Sequence, residues 1–161
     1  GNFHILDVTE SALERDYDLV ICSEVLEHIP DDIAALRNLK KMTKEYLLVS
    51  TPQGRMRNFE TQIGHVRNYA PGELVSKIRS SGFEVLSTVE WGFPFYSPLY
   101  RNLLDLGGCN GTSGEFGSLR RLLANWMYLL FSLNSSQRGD EIFVLAKVEG
   151  HRATENFQPR Q

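Results

Sequence analysis

Tyr17-Asp18-Leu19-Val20-Ile21-Cys22-Ser23-Glu24-Val25-Leu26-Glu27-His28-Ile29-Pro30-Asp31-Asp32 is the stretch whose reading decides the fold. Leu19 to Cys22 is an apolar run without alternation, the pattern of a strand covered on both faces of a parallel sheet. Directly after it the composition turns to Ser23, Glu24, Glu27 and His28, a dense set of hydrogen-bonding and titratable groups. Open α/β sheets bind ligands beyond the carboxyl ends of their strands, so this exit is a candidate functional site. By periodicity alone a solvated strand-to-helix loop reads the same way.

Working outward, Pro30-Asp31-Asp32 predicts a helix start, with carboxylates where the N-terminal macrodipole favours them. Ile33, Leu36, Leu39 and Met42 recur on one side of that helix, and Arg37, Lys40, Lys41 and Lys44 on the other. Tyr46 to Ser50 reads as a second buried strand, stopped by Thr51-Pro52-Gln53-Gly54. Arg55 to Asn68 shows no period and reads as an ordered loop. Pro71 opens a helix with Leu74, Val75 and Ile78 inward and Gly82 as its left-handed cap. Phe83 to Val89 follows as a strand, and Phe3 to Val8, ahead of the opening stretch, reads as another. Strands alternating with helices define an α/β layer architecture.

Beyond Trp91 the pattern changes. An aromatic stretch, a short helix within Ser97 to Leu106 and a glycine-rich loop over Gly107 to Gly117 precede the apolar helix Leu119 to Leu133. That helix is too short, and too interrupted by Arg120, Arg121 and Asn125, to span a bilayer. It reads as core, as a lid over a hydrophobic acceptor, or as a partner or membrane surface. Asp140 to Val148 supplies a last strand, and residues 150–161 read as a disordered tail.

The chain of 161 residues suits one domain that buries roughly two thirds of its unfolded surface. With 17 basic and 20 acidic side chains and a net charge of −3, it has no electrostatic footprint for nucleic acid. Cys22 and Cys109 form neither a disulfide framework nor a metal-ligand spacing, so no metal is expected and a reducing cytoplasm is the default.

Asp18 to Ile21 with Glu24-Val25-Leu26-Glu27-His28-Ile29-Pro30-Asp31 resembles the fourth strand and following loop of class I S-adenosylmethionine-dependent methyltransferases, in the branch of small-molecule enzymes that includes those of ubiquinone biosynthesis. Leu6-Asp7-Val8 resembles the end of that family's third strand, and Leu47 to Pro52 its fifth. Gly64-His65-Val66-Arg67-Asn68-Tyr69-Ala70-Pro71-Gly72-Glu73-Leu74, with Ser81 to Val85, resembles the next helix and strand. The resemblance implies a Rossmann-like, mostly parallel sheet with an antiparallel last strand and S-adenosylmethionine as cofactor. It makes Asp7, with Val8, the analogue of the carboxylate that holds the adenine amine, and sets Cys22, Ser23 and Glu24 near the methionine end. His28 becomes a candidate general base, against the alternative that it orders its loop. His65, Arg67 and Trp126 become candidates for contact with a small acceptor: His65 and Arg67 suit an acidic or phosphorylated one, or simply pin their loop, while the aromatic and apolar segment leans toward a hydrophobic one. Residues 91–139 fall where the family builds a lid, within a partial domain spanning 1–149.

The departure is equally specific. The family's first two strands, glycine-rich turn and acidic strand end have no counterpart here, which implies a fragment or a compacted or swapped sheet. It also implies weak cofactor binding by this chain, and it leaves a non-catalytic α/β binding module as the alternative to an enzyme. A different Rossmann-like enzyme finds no dinucleotide fingerprint in its favour. The exposed sheet edge or the apolar helix 119–133 would serve a homodimer.

Overall fold

The computed structural model of the chain describes residues 1–107 and 117–150. The glycine-rich stretch at 108–116, with Cys109, and the tail at 151–161 lie outside them. Four strands, β1 (Tyr17–Ser23), β2 (Thr43–Pro52), β3 (Phe83–Trp91) and β4 (Glu141–Val148), form one sheet in the order β1-β2-β4-β3. β1 and β2 are parallel, and β4 runs antiparallel to both β2 and β3. Three strands therefore point one way and the last returns between two of them, as the sequence implies.

Helices α1 (Asp32–Met42) and α3 (Glu73–Ser80) provide the buried cover. The Asp31 side chain caps α1 by accepting from Ala34 N at 2.9 Å. Leu36, Leu39 and Met42 from α1 and Leu74 and Ile78 from α3 then meet Cys22, Leu47, Val49, Phe83, Val144 and Ala146 of the sheet. Gly82 closes α3 at a φ of 86°, the left-handed conformation expected for it. Buried Asp32 ties the elements together. It accepts from Tyr69 Oη at 2.9 Å and Lys77 Nζ at 2.7 Å, and pairs with Arg67 at 2.5 Å.

Several expectations are corrected. Phe3 to Val8 is no strand: Phe3 and Ile5 are fully exposed, and no neighbouring strand among the described residues takes up their backbone. β1 is covered on one face only, with Leu19 at 49% and Ile21 at 61% exposure. On that open face Leu19, Tyr46, Leu86 and Leu145 line an apolar groove of about 350 Å³. Lys44 lies outside the helix, since α1 ends at Met42 and β2 begins at Thr43. The loop 55–68 contains a short helix, α2 (Asn58–Gln62). α3 starts at Glu73, with Gly72 rather than Pro71 at its entry.

Past β3 the chain makes a kinked turn (Phe95–Tyr100), then α4 (Arg101–Gly107) and α5 (Ser118–Phe131). α5 is not core: Leu122, Trp126 and Leu129 are all more than half exposed. Phe131 anchors it against Trp91, Tyr96 and Tyr100, with ring centroids 5.4–6.2 Å apart. Among the described residues no helix is long and apolar enough to cross a membrane.

Burial alone would raise the Asp32 carboxyl, but the bonds from Lys77, Arg67 and Tyr69 outweigh it and hold it below the ordinary carboxylate range. A depressed folded-state value stabilises at neutral pH and is lost as pH falls through it. Asp32→Ala should cost about 2 kcal/mol in urea denaturation at neutral pH, below the cost of breaking a fully buried pair because Arg67 and Lys77 are 23% and 25% exposed. The difference from the native chain should shrink below about pH 4. A cost independent of pH would contradict the role given to the carboxylate.

Candidate active site

The polar exit of β1 is bound to the exit of β2. Parallel pairing sets Ser23 opposite Ser50, and their hydroxyl oxygens lie 2.8 Å apart. Ser50 Oγ donates to Glu24 Oε1 at 3.0 Å, which spends its proton, so Ser23 is the donor of the pair. Glu24 N reaches Ser50 O at 3.0 Å, and Glu24 adopts a φ of 52°, uncommon for a residue with a side chain. Strained backbone of this kind gathers at functional sites.

A single 3-10 turn, Leu26–His28, follows. Glu27 is wholly buried; its Oε2 accepts from Thr51 Oγ1 at 3.0 Å and its backbone oxygen from Val66 N at 2.9 Å. Among the described residues none donates a hydrogen bond to Glu27 Oε1, an omission that costs on the order of 1–3 kcal/mol for a buried acceptor. Burial pushes the Glu27 carboxyl up, and the Glu24 charge acts in the same direction. His28 Nδ1 sits 3.0 Å from Gly64 O. A carbonyl only accepts, so Nδ1 carries the proton and the neutral ring keeps its lone pair at Nε2, 3.8 Å from Glu27 Oε1. The buried His65 ring meets His28 edge to face at 4.6 Å, and its Nδ1 takes no hydrogen bond of good geometry. Burial and the neighbouring His28 push His65 down, toward the neutral imidazole. Glu27, His28 and His65 thus present ligand-type atoms all within 4.8 Å of one another. With the two histidines 37 positions apart, no local spacing in the sequence outlines this group.

The other candidates fall in different places. The exposed Asp7 accepts from Thr9 N at 2.9 Å and Thr9 Oγ1 at 2.7 Å, both on Oδ1, and the Thr9 hydroxyl holds its carboxyl below the ordinary range. That is a turn carboxylate. Val8 O accepts from Asn38 Nδ2 at 2.9 Å, which fastens this segment to α1. Cys22 is core, its thiol pushed up to about 12 by burial and then by Glu27, so it is no nucleophile. Ser23 and Glu24 are exposed at the strand end. Arg67 pins its loop, donating to Pro30 O and pairing with Asp32. The Trp126 ring is 61% exposed and joins none of these bonds.

The sequence reading missed a charged network beside this exit. Arg101, 1% exposed, pairs with the buried Glu60 and, at 3.2 Å, with Asp140, which Arg57 also reaches at 3.2 Å. Glu141, at the start of β4, is buried and shares a hydrogen bond with Glu24. A carboxyl opening a strand after a turn carries no signal of such pairing. Burial, and then the Glu24 charge, push Glu141 up to about 9, so it is protonated at neutral pH and can donate.

A raised folded-state value means that the native chain binds more protons than the unfolded one between about 4.5 and about 9, so stability falls as pH rises through that window. Glu141→Gln copies the neutral acid and removes this slope. Its melting temperature should exceed the native one by a few degrees near pH 8 and match it near pH 5. Parallel melting curves at both pH values would contradict the assignment.

Comparison with known proteins follows the same lines. No curated protein matches the sequence. Among solved structures, the [4+2]-cyclase SpnF is similar, 18% identical with a TM-score of 0.53, over 91% of this chain and 55% of that one. A Thermotoga maritima S-adenosylmethionine-dependent methyltransferase, a possible histamine N-methyltransferase, is 17% identical with a TM-score of 0.54, over 88% and 61%. Phosphoethanolamine N-methyltransferase 2 of Haemonchus contortus, solved with S-adenosyl-L-methionine, is 15% identical with a TM-score of 0.52, over 88% and 36%. The chain thus spans little more than half the length of the first two, and at these identities the likeness is one of fold. The family profile described as a methyltransferase domain matches residues 2–131, and the chain belongs to that family.

Proposed function

We propose that this chain forms the acceptor-side part of an S-adenosylmethionine-dependent methyltransferase acting on a small acceptor of apolar character. The observation that carries the reading is the family match over residues 2–131 joined to a bonded polar exit, Ser23-Glu24-Ser50, at the carboxyl ends of two parallel strands. Fold alone is insufficient, since a cyclase is among the similar structures.

The donor set suits the cofactor. Glu24 offers an exposed carboxylate to an ammonium, and Ser23 an exposed hydroxyl to a carboxylate. When bound, S-adenosylmethionine supplies an electrophilic methyl group. The residues of this chain orient and desolvate: the pinned Glu24 backbone fixes where its carboxylate points, and the buried floor of Cys22 and Leu26 excludes water. His28 Nε2 is placed to take a proton from the acceptor, with Glu27 Oε1 3.8 Å away. Trp91, Tyr96, Tyr100 and Phe131 supply an aromatic wall within the lid-like segment 91–139, which favours an apolar acceptor. Asp7 remains the adenine-facing candidate through its second carboxylate oxygen. We place the protein in the cytoplasm because two cysteines 87 positions apart in sequence make no disulfide framework, and assign any self-association to the free edge of β1 or the exposed face of α5.

The chain lacks a glycine-rich turn, so affinity for the cofactor should be weak, with a dissociation constant of about 1 mM, equivalent to roughly 4 kcal/mol. Amide chemical shifts measured during titration with S-adenosylhomocysteine should move at Ser23, Glu24 and Asp7. Micromolar affinity would contradict the forecast of weak binding. Shifts that leave Ser23 and Glu24 untouched would contradict the site, and would favour a non-catalytic module.

A further inference from the structure

We propose that the cavity between the ends of β2 and β3 and the turn into β4 binds an α-amino acid with an apolar side chain. The cavity holds about 380 Å³, enough for a small molecule. None of Ser23, Glu24, Ser50 or His28 lines it, so it is separate from the polar exit of β1. Backbone bonds fix its walls. Gln53 N donates to Asp140 O at 2.8 Å and Phe93 N to Arg138 O at 3.1 Å, which ties the turn to both strands. Gly139, between Arg138 and Asp140, lies so close to Trp91 O that any Cβ would collide with it.

The polar groups of the wall specify the ligand. The Arg138 guanidinium lies over the Phe93 ring at 4.2 Å. Among the described residues neither Arg138 nor Glu90, both in the lining, forms an ion pair. A stacked guanidinium keeps its N–H groups at the edge, where they can grip a carboxylate with two parallel bonds. Gln53 is 4% exposed; its Nε2 donates to Gly139 O at 3.1 Å, and its Oε1 meets no donor among the described residues. Buried acceptors ordinarily find one. Asp140 Oδ2 receives Arg57 and Arg101, each at 3.2 Å, so Oδ1 is the atom on offer to a ligand. An ammonium brings three donors, one each for Gln53 Oε1, Asp140 Oδ1 and the Glu90 carboxylate.

Charge selects the zwitterion. Arg57 and Arg101 are balanced by Glu60 and Asp140, and Arg138 by Glu90, so the site has both poles and no net charge. A bare anion leaves the acceptors unmet, and a bare cation leaves Arg138 unmet. Pro71, Phe93 and Pro98 complete the lining and favour an apolar side chain.

The site does not depend on methyl transfer, and its test reads binding rather than activity. The full chain is titrated with L-phenylalanine and L-leucine, followed by amide chemical shifts and calorimetry. Phenethylamine and 3-phenylpropanoate, which each lack one pole, are the comparison probes. At least one amino acid should bind with a dissociation constant between about 0.1 and 1 mM, moving the amides of Gln53, Glu90 and Arg138. Both comparison probes should bind about tenfold more weakly. Arg138→Met should weaken the amino acid about tenfold and leave phenethylamine unchanged; Glu90→Gln should weaken it similarly and leave 3-phenylpropanoate unchanged. The unchanged probe in each variant shows that the cavity is intact. Absence of saturable binding of both amino acids by the native chain would overturn the proposal. So would equal affinity for the one-pole probes, or a variant that weakens all probes alike. Shifts confined to Ser23 and Glu24 would also overturn it, because they seat the amino acid at the methyl-donor site instead.

Discussion

The bond from Thr51 to the buried Glu27 carboxylate is the constraint on which the rest of the site depends. Glu27 has no exposure and sits one turn beyond an edge strand, so its charge is tolerable only where β2 delivers a hydroxyl to meet it. The same residue accepts Val66 N through its backbone oxygen and thereby draws the 55–68 connection over the end of β1. That placement brings His65 against His28 and Gly64 O onto His28 Nδ1. A parallel strand pair supplies the frame, because only parallel neighbours present their carboxyl ends side by side. Ser23 and Ser50 in register are the direct result.

Legibility in the sequence followed the range of the interaction. The helix at Asp32 was readable because its signals are local: an N-cap side chain, Leu36, Leu39 and Met42 at helical spacing, and basic residues in the last turn. Gly82 was readable because a left-handed residue after a helix has few substitutes. The unbroken apolar run Leu19 to Cys22 predicts cover on both faces of β1, yet Leu19 and Ile21 stand exposed beside an apolar groove. Composition records which faces a strand is suited to bury, while the cover itself comes from other segments. Phe3 to Val8 has strand composition, but a strand needs a hydrogen-bonding neighbour; Phe3 and Ile5 meet solvent instead, while Leu6 and Val8 pack against the core.

The candidate site divides in the same way. Ser23, Glu24 and His28 were found because they follow a strand directly. The pairing of Glu141 with Glu24 and the clamp of Arg101 on Glu60 and Asp140 join residues between 39 and 117 positions apart, and no periodic pattern encodes them. Arg67 carries the charge that suits an acidic acceptor but spends it on Asp32 and Pro30. Trp126 shows that aromatic content does not locate a pocket, since α5 turns most of its apolar surface outward and holds on through Phe131. Family membership is therefore firmer than the placement of any one ligand-binding side chain.

A double-mutant cycle between Glu27→Gln and Thr51→Val, read by urea denaturation at neutral pH, tests the central constraint most directly. If the Thr51 hydroxyl secures the Glu27 carboxylate, the two changes should couple by about 1–2 kcal/mol, with the double variant less destabilised than the sum of the single ones. Additivity to within about 0.3 kcal/mol would mean that the two side chains stabilise the chain independently, and would contradict the account of how the exit of β1 is held.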